Sequence, residues 1–218
     1  MSFENTRIFK LINKLDAPSL NRFSKFIHSP YFNRNEKIKS LFDIIYNAVR
    51  SGNAVASKEE LWIRVGFADT YKDIKFRKLC NDLVERYEKF MVVEQLEKKP
   101  LLKSNLLLES IRDFGNELIF EKHVSKANTI FDRIPDHSSD YFLQKYQYDK
   151  TLQNLKTNYE KKEDIKKYIN NEQYQNLSRQ LDAFYSIESL RHAIDIITWS
   201  KQYKFEIKLD LAHSIQLI

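Results

Sequence analysis

The segment His28-Ser29-Pro30-Tyr31-Phe32-Asn33 constrains the fold most, because it interrupts two strongly amphipathic stretches where neither can run on. A proline inside a helix loses a hydrogen bond and clashes with the preceding turn, and it drives the residue before it into an extended conformation. One helix therefore ends at Ser29. Tyr31 and Phe32 are costly to leave in water, so both rings are expected in the angle between two helices. Asn33, with Glu36 three residues on, has the spacing of an N-cap and its reciprocal acidic partner, which starts the next helix.

The stripes on either side are helical. Ile8, Phe9, Leu11, Ile12 and Leu15 mark a first helix, and Leu20, Phe23, Phe26 and Ile27 mark a second, with Pro18 in its first turn and Asp16 or Ser19 to cap it. Ile38, Leu41, Phe42, Ile45, Ala48 and Val49 line a third that Gly52 ends. Ser57-Lys58-Glu59-Glu60 is a capping box for a short fourth helix carrying Leu61, Trp62 and Val65, stopped by Gly66. From about Tyr71 a longer helix stacks Phe76, Leu79, Cys80, Leu83, Tyr87, Phe90 and Met91 on one face. Met91-Val92-Val93 either continues it or forms one short strand.

Composition supports helices throughout. Only 3 Gly and 4 Pro occur in 218 residues, fewer than β-sandwiches or glycine-rich nucleotide loops consume. Hydrophobic residues at 42% and charged residues at 30% describe a chain that folds. The net charge is +6, of which +5 falls in the first 98 residues. That excess is too dilute for a dense phosphate-binding face and reads as solvated surface. The single Cys80 excludes an internal disulfide and a multi-thiolate metal site. No apolar run approaches the ~20 residues that span a bilayer, and no signal-peptide core precedes Ile8, so the expected location is cytoplasmic.

Lys98-Lys99-Pro100 marks a boundary, giving an N-terminal helical domain over 1–98 and a helical-repeat region over 99–218. In the second part Ile111, Phe114, Gly115, Leu118, Ala127, Phe131 and Ile134 resemble the tetratricopeptide (TPR) pattern, with Gly115 for close approach and Ala127 where the second helix crosses the first. Tyr141, Phe142, Tyr146, Tyr148, Leu152 and Leu155 predict a further helix, with Lys156 to Glu163 as its exposed end and a loop. Leu177, Leu181, Phe184 and Tyr185 then mark one helix, and Ile187, Leu190, Ile194, Ile197 and Tyr203 mark another. The last stretch, Ile207 to Ile218, is apolar without a polar cap. A repeat array needs such a cap, so the chain is expected to fold back there or to continue in a longer protein, the second being favoured.

The run Phe23 to Asn33, containing Ser-Pro-Tyr-Phe-Asn, and the run Leu79 to Phe90 resemble an uncharacterised family of helical proteins from Bacteroidetes-type bacteria. The resemblance covers about the first 95 residues. It implies a cytoplasmic protein longer than this chain and carries no activity over to any residue.

Catalytic and cofactor motifs are weak. Gly52, Gly66 and Gly115 are isolated from one another, so no phosphate-cradling loop forms. His28, His123, His137, His192 and His213 lie at no metal-binding spacing. Asp136-His137-Ser138-Ser139-Asp140 holds the residue types of a triad but as adjacent loop residues, which suits turn and N-cap roles better. No enzyme, cofactor or metal site is expected. Two readings of function remain. The first is an all-α scaffold, an N-terminal helical domain followed by antiparallel TPR-like helix pairs, that binds a protein or peptide through its tyrosine-rich half from Tyr141 to Tyr203. The alternative treats the N-terminal helices as a winged-helix-like unit that offers Lys72, Lys75, Arg77 and Lys78 to nucleic acid. Against it, the region lacks a hairpin for the wing and its basic residues alternate with Asp73 and Asp82.

Overall fold

The computed structural model describes residues 3–115, 117–135, 138–159 and 171–206. Among these the chain forms nine α-helices, two short 3₁₀ turns and no strand, so the protein is all-α. It divides into two compact units, Met1–Gln95 and Leu96–Ile218.

The first unit opens with a 3₁₀ turn, Phe3–Asn5, followed by α1 (Arg7–Asn13), α2 (Ala17–His28), α3 (Glu36–Ser51), α4 (Lys58–Arg64) and α5 (Asp73–Glu97). Local chemistry starts and stops these helices. Asp16 caps α2 by accepting the Ser19 N–H at 2.9 Å, with Pro18 in the first turn. Ser57 caps α4 by accepting the Glu60 N–H at 3.2 Å. Gly52 closes α3 in the left-handed conformation, φ +69°, which a side chain would strain. Met91, Val92 and Val93 continue α5, so the strand alternative for them is set aside.

The break after α2 folds differently from the expectation. Ser29 is extended, as Pro30 requires, and its carbonyl accepts the Phe32 and Asn33 N–H groups in a tight turn. Phe32 stacks on Phe26, with centroids 4.2 Å apart and planes at 18°, but Tyr31 is 86% exposed. Asn33 is not the cap of α3. It is buried, donates from Nδ2 to the Ile27 carbonyl at 3.0 Å and accepts the Asn35 N–H at 3.1 Å. Asn35 is the cap, accepting from Lys37 and Ile38. A buried Asn with two backbone partners holds the two helices at a fixed angle, and the tyrosine is left to solvent.

The core of this unit is aromatic. Phe23 of α2 meets Phe42 of α3 edge-on at 5.1 Å, Tyr87 at 5.5 Å and Phe90 at 5.0 Å, the last two from α5. Trp62 stacks on Phe67 at 3.7 Å, and its indole N–H donates to the Asp69 carbonyl at 2.6 Å. The stripes on α1 to α5 converge on this one cluster.

The second unit contains α6 (Pro100–Phe114), a 3₁₀ turn (Glu117–Ile119), α7 (Phe120–Asp132), α8 (Ser139–Tyr159) and α9 (Asn171–Tyr203). Leu101, Leu108, Ala127, Phe131, Tyr148 and Leu155 form its core. Three expectations are corrected here. Gly115 is the left-handed stop of α6, φ +61°, with no atom near the place a Cβ would occupy, so it serves helix termination and not close helix approach. Phe114 and Leu118 are exposed, and of the TPR-like set Ile111, Ala127 and Phe131 are buried with Ile134 half-buried. The two helices expected over 177–203 are one continuous helix, because no Gly or Pro interrupts the sequence there. Of the run 156–163, expected as an exposed helix end and a loop, 156–159 are the last residues of α8 and 160–163 lie outside the described residues, as does the apolar stretch from Ile207 to Ile218.

Candidate functional site: an uncovered helix end and a basic helix

α8 and α9 run antiparallel. The Ser139 hydroxyl, at the start of α8, donates to the Glu188 carboxylate, and Gln180 donates to Asp149 at 2.8 Å. α9 therefore runs on past the level of Ser139 from Glu188 to Tyr203, about 22 Å at 1.5 Å per residue. On this length Leu190, Ile194 and Ile197 are exposed, at the i, i+4, i+7 spacing that aligns side chains along one line of a helix. Trp199 and Tyr203, four apart, are exposed on the opposite side. Ala193 is buried and Ile196 half-buried between the two sides. Arg191, Asp195 and Lys201 edge the surface with charges of both signs.

The tyrosines expected to make a docking surface separate into two groups. Tyr148 is fully buried and Tyr141 packs against Phe131 at 5.9 Å, both filling the core. Tyr185 and Tyr203 are exposed.

The four basic residues of the alternative reading lie on or beside the first turns of α5, all exposed. Three are engaged with carboxylates: Lys72 and Lys75 reach Asp69 at 3.3 and 3.4 Å, and Arg77 reaches Asp73 at 2.7 Å. Lys78 alone of the four has no carboxylate within ion-pair distance among the described residues. With no strand in residues 3–115, no hairpin wing accompanies this helix.

Among the described residues no group of three His, Cys, Asp or Glu side chains is placed to hold a metal ion, and no helix is long and apolar enough to cross a membrane. Of the triad-like loop, Ser138 accepts the Tyr141 N–H at 3.4 Å as a helix cap, whereas Asp136 and His137 lie outside the described residues. Cys80 is half-buried, and burial pushes its thiol up to about 11, so it is neutral at physiological pH.

A buried polar seam between α6, α7 and α8 was not expected from the sequence. Asn105 donates to the Gln144 carbonyl at 3.0 Å and to its side-chain oxygen at 2.7 Å, and His123 contacts the Ser104 carbonyl through Nε2 at 3.0 Å. Burial holds the His123 imidazole below its ordinary pKa, partly opposed by the Ser104 carbonyl. The signal was present in the sequence only as polar residues falling in step with apolar ones. Comparison with models of protein families, with curated proteins and with solved structures finds no match to the chain.

Proposed function

We propose that the chain is a noncatalytic helical scaffold that binds a partner protein, and that the uncovered end of α9 is its contact surface. The observation that carries the reading is the line Leu190-Ile194-Ile197, apolar and exposed on α9 beyond Glu188, the residue that meets the start of α8 at Ser139. An amphipathic helix of the partner, of ordinary length for a globular protein, matches the 22 Å of α9 beyond Glu188 and would bury that line. The mixed charges of Arg191, Asp195 and Lys201 at its edge suit a helix flanked by charges of both signs. The TPR-like character of the second unit belongs to this proposal and leans on the antiparallel helix neighbours more than on the residue signature. The same reading places the protein in the cytoplasm and keeps the Bacteroidetes-type family resemblance of the first 95 residues. Nucleic-acid binding is the weaker alternative, because the carboxylates of Asp69 and Asp73 stand where phosphates would have to bind.

The test compares the wild-type protein with the Ile194→Asp/Ile197→Asp variant in capture from native cell extract after nuclease treatment. A protein held by the wild type and lost by the variant, with both equally helical and equally stable, is the expected result. A partner retained by the variant, or lost on nuclease treatment of the wild type, would overturn the reading.

A further inference from the structure

The joint between α2 and α3 carries a titratable contact that the scaffold reading does not use. His28 is the last residue of α2, and Asp43 lies in the middle of α3. The imidazole bridges the two helices. Its Nδ1 lies 2.8 Å from the Ser24 carbonyl, one turn back on α2, and its Nε2 lies 3.2 and 3.3 Å from the two carboxylate oxygens of Asp43. The ring rests beside Phe42, with centroids 6.1 Å apart.

Hydrogen-bond chemistry decides which form of the ring fits this geometry. A carbonyl oxygen only accepts, so Nδ1 carries a hydrogen. An ionised carboxylate only accepts as well, so Nε2 carries the second. The neutral ring, with its one hydrogen on Nδ1, would point a lone pair at both oxygens of Asp43. The contact is attractive for the imidazolium and repulsive for the neutral imidazole. The carbonyl end of α2, where His28 sits, favours the same cation. Other charges near the joint are engaged elsewhere: Lys39 on α3 with Glu36 at 2.7 Å, Glu94 on α5 with Arg22 at 2.8 Å, and Arg34 in the turn with the Pro30 carbonyl at 3.3 Å. Lys25, exposed three residues before His28 on α2, is a like charge that works against the imidazolium.

We propose that His28 and Asp43 form a pH-sensitive clasp on the α2–α3 joint, closed while His28 is the imidazolium and opened when Nε2 gives its proton to water. Imidazole is the side chain whose charge ordinarily changes between about pH 5 and 8, so the clasp responds across the neutral range. Its sign is fixed: the contact contributes on the acid side of that range and is lost as the pH rises. The side chains are 43% and 49% exposed, which keeps the effect to a few-fold. Opening loosens the turn that directly follows His28, where the Phe32 and Asn33 amides donate to the Ser29 carbonyl. The buried bond from Asn33 to the Ile27 carbonyl does not titrate and keeps the helices in place.

The test follows the ring nitrogens of His28 by NMR on the full chain between about pH 5.5 and 8.5, in the wild type and in Asp43→Asn, whose amide donates to the neutral Nε2. Near about pH 7 the ratio of imidazolium to neutral His28 should be about threefold higher in the wild type. Amide-exchange protection of Phe32 and Asn33 should fall by about threefold from pH 6 to 8 in the wild type and stay level in Asp43→Asn. His28→Gln, a change at an exposed position to a side chain that does not titrate, should hold protection level in the same way. A neutral His28 ring in the wild type at about pH 6, an equal ratio in wild type and Asp43→Asn, or protection that falls equally in wild type and His28→Gln would overturn the proposal.

Discussion

Tyr148 offers a sharp test of how the second unit is held together. Its side chain is fully buried, its ring lies 5.2 Å from Phe131 and 6.3 Å from His123, and its hydroxyl has no hydrogen-bond partner among the described residues. Burial, with the nearby Asp149 charge, pushes the phenol well above its ordinary pKa, so the hydroxyl stays protonated and its donor goes unused. A buried hydroxyl without a partner costs about 1–3 kcal/mol. Tyr148→Phe keeps the ring and removes that cost. It leaves a gap of one oxygen, on the order of 15 Å³, which at about 24 cal/mol per Å³ takes back roughly 0.4 kcal/mol.

The net expectation is a gain of about 1 kcal/mol. For a folding unit of about 120 residues the melting entropy is about 0.25 kcal/mol/K, so the melting temperature of that unit should rise by about 4 °C. Urea unfolding followed by circular dichroism, together with calorimetry of the full chain, measures both numbers. A loss of 1 kcal/mol or more in Tyr148→Phe would mean that the hydroxyl donates to a buried water and would refute the reasoning.

Two further outcomes follow from the same accounting. Because burial depresses the His123 pKa in the folded state, the unfolded chain takes up the proton first: stability is fully present above about pH 6.5 and is lost as the pH falls through the folded value. Urea midpoints at pH 7.5 and pH 5 should show this loss, and His123→Gln should remove the part that histidine contributes. Asn33→Ala leaves the Ile27 carbonyl and the Asn35 N–H without their buried partner and should cost about 2 kcal/mol, whereas Tyr31→Ser, at an 86% exposed position, should change stability by less than about 0.5 kcal/mol. Equal losses for the two would contradict the assignment of Asn33 as the residue that sets the angle.

Much of the first unit could be read from the sequence, because its determinants are local. Asp16, Ser57 and Gly52 act within four residues of themselves, and the stripes of α2, α3 and α5 each expose their period within one helix. The turn at Ser29-Pro30 was legible for the same reason. The roles of Tyr31, Asn33 and Asn35 were not. All three lie in one short turn, and which amide caps and which is buried depends on where the Ile27 carbonyl ends up, a fact of the fold and not of spacing.

The candidate surfaces lie beyond sequence reading for a related reason. A helical stripe records that Leu190, Ile194 and Ile197 share a line, but whether that line is covered depends on where the neighbouring helix stops. Ser139 meets Glu188, and one turn before Leu190 on the same line Ser186 and Ile187 are half-buried, whereas Leu190, Ile194 and Ile197 are exposed.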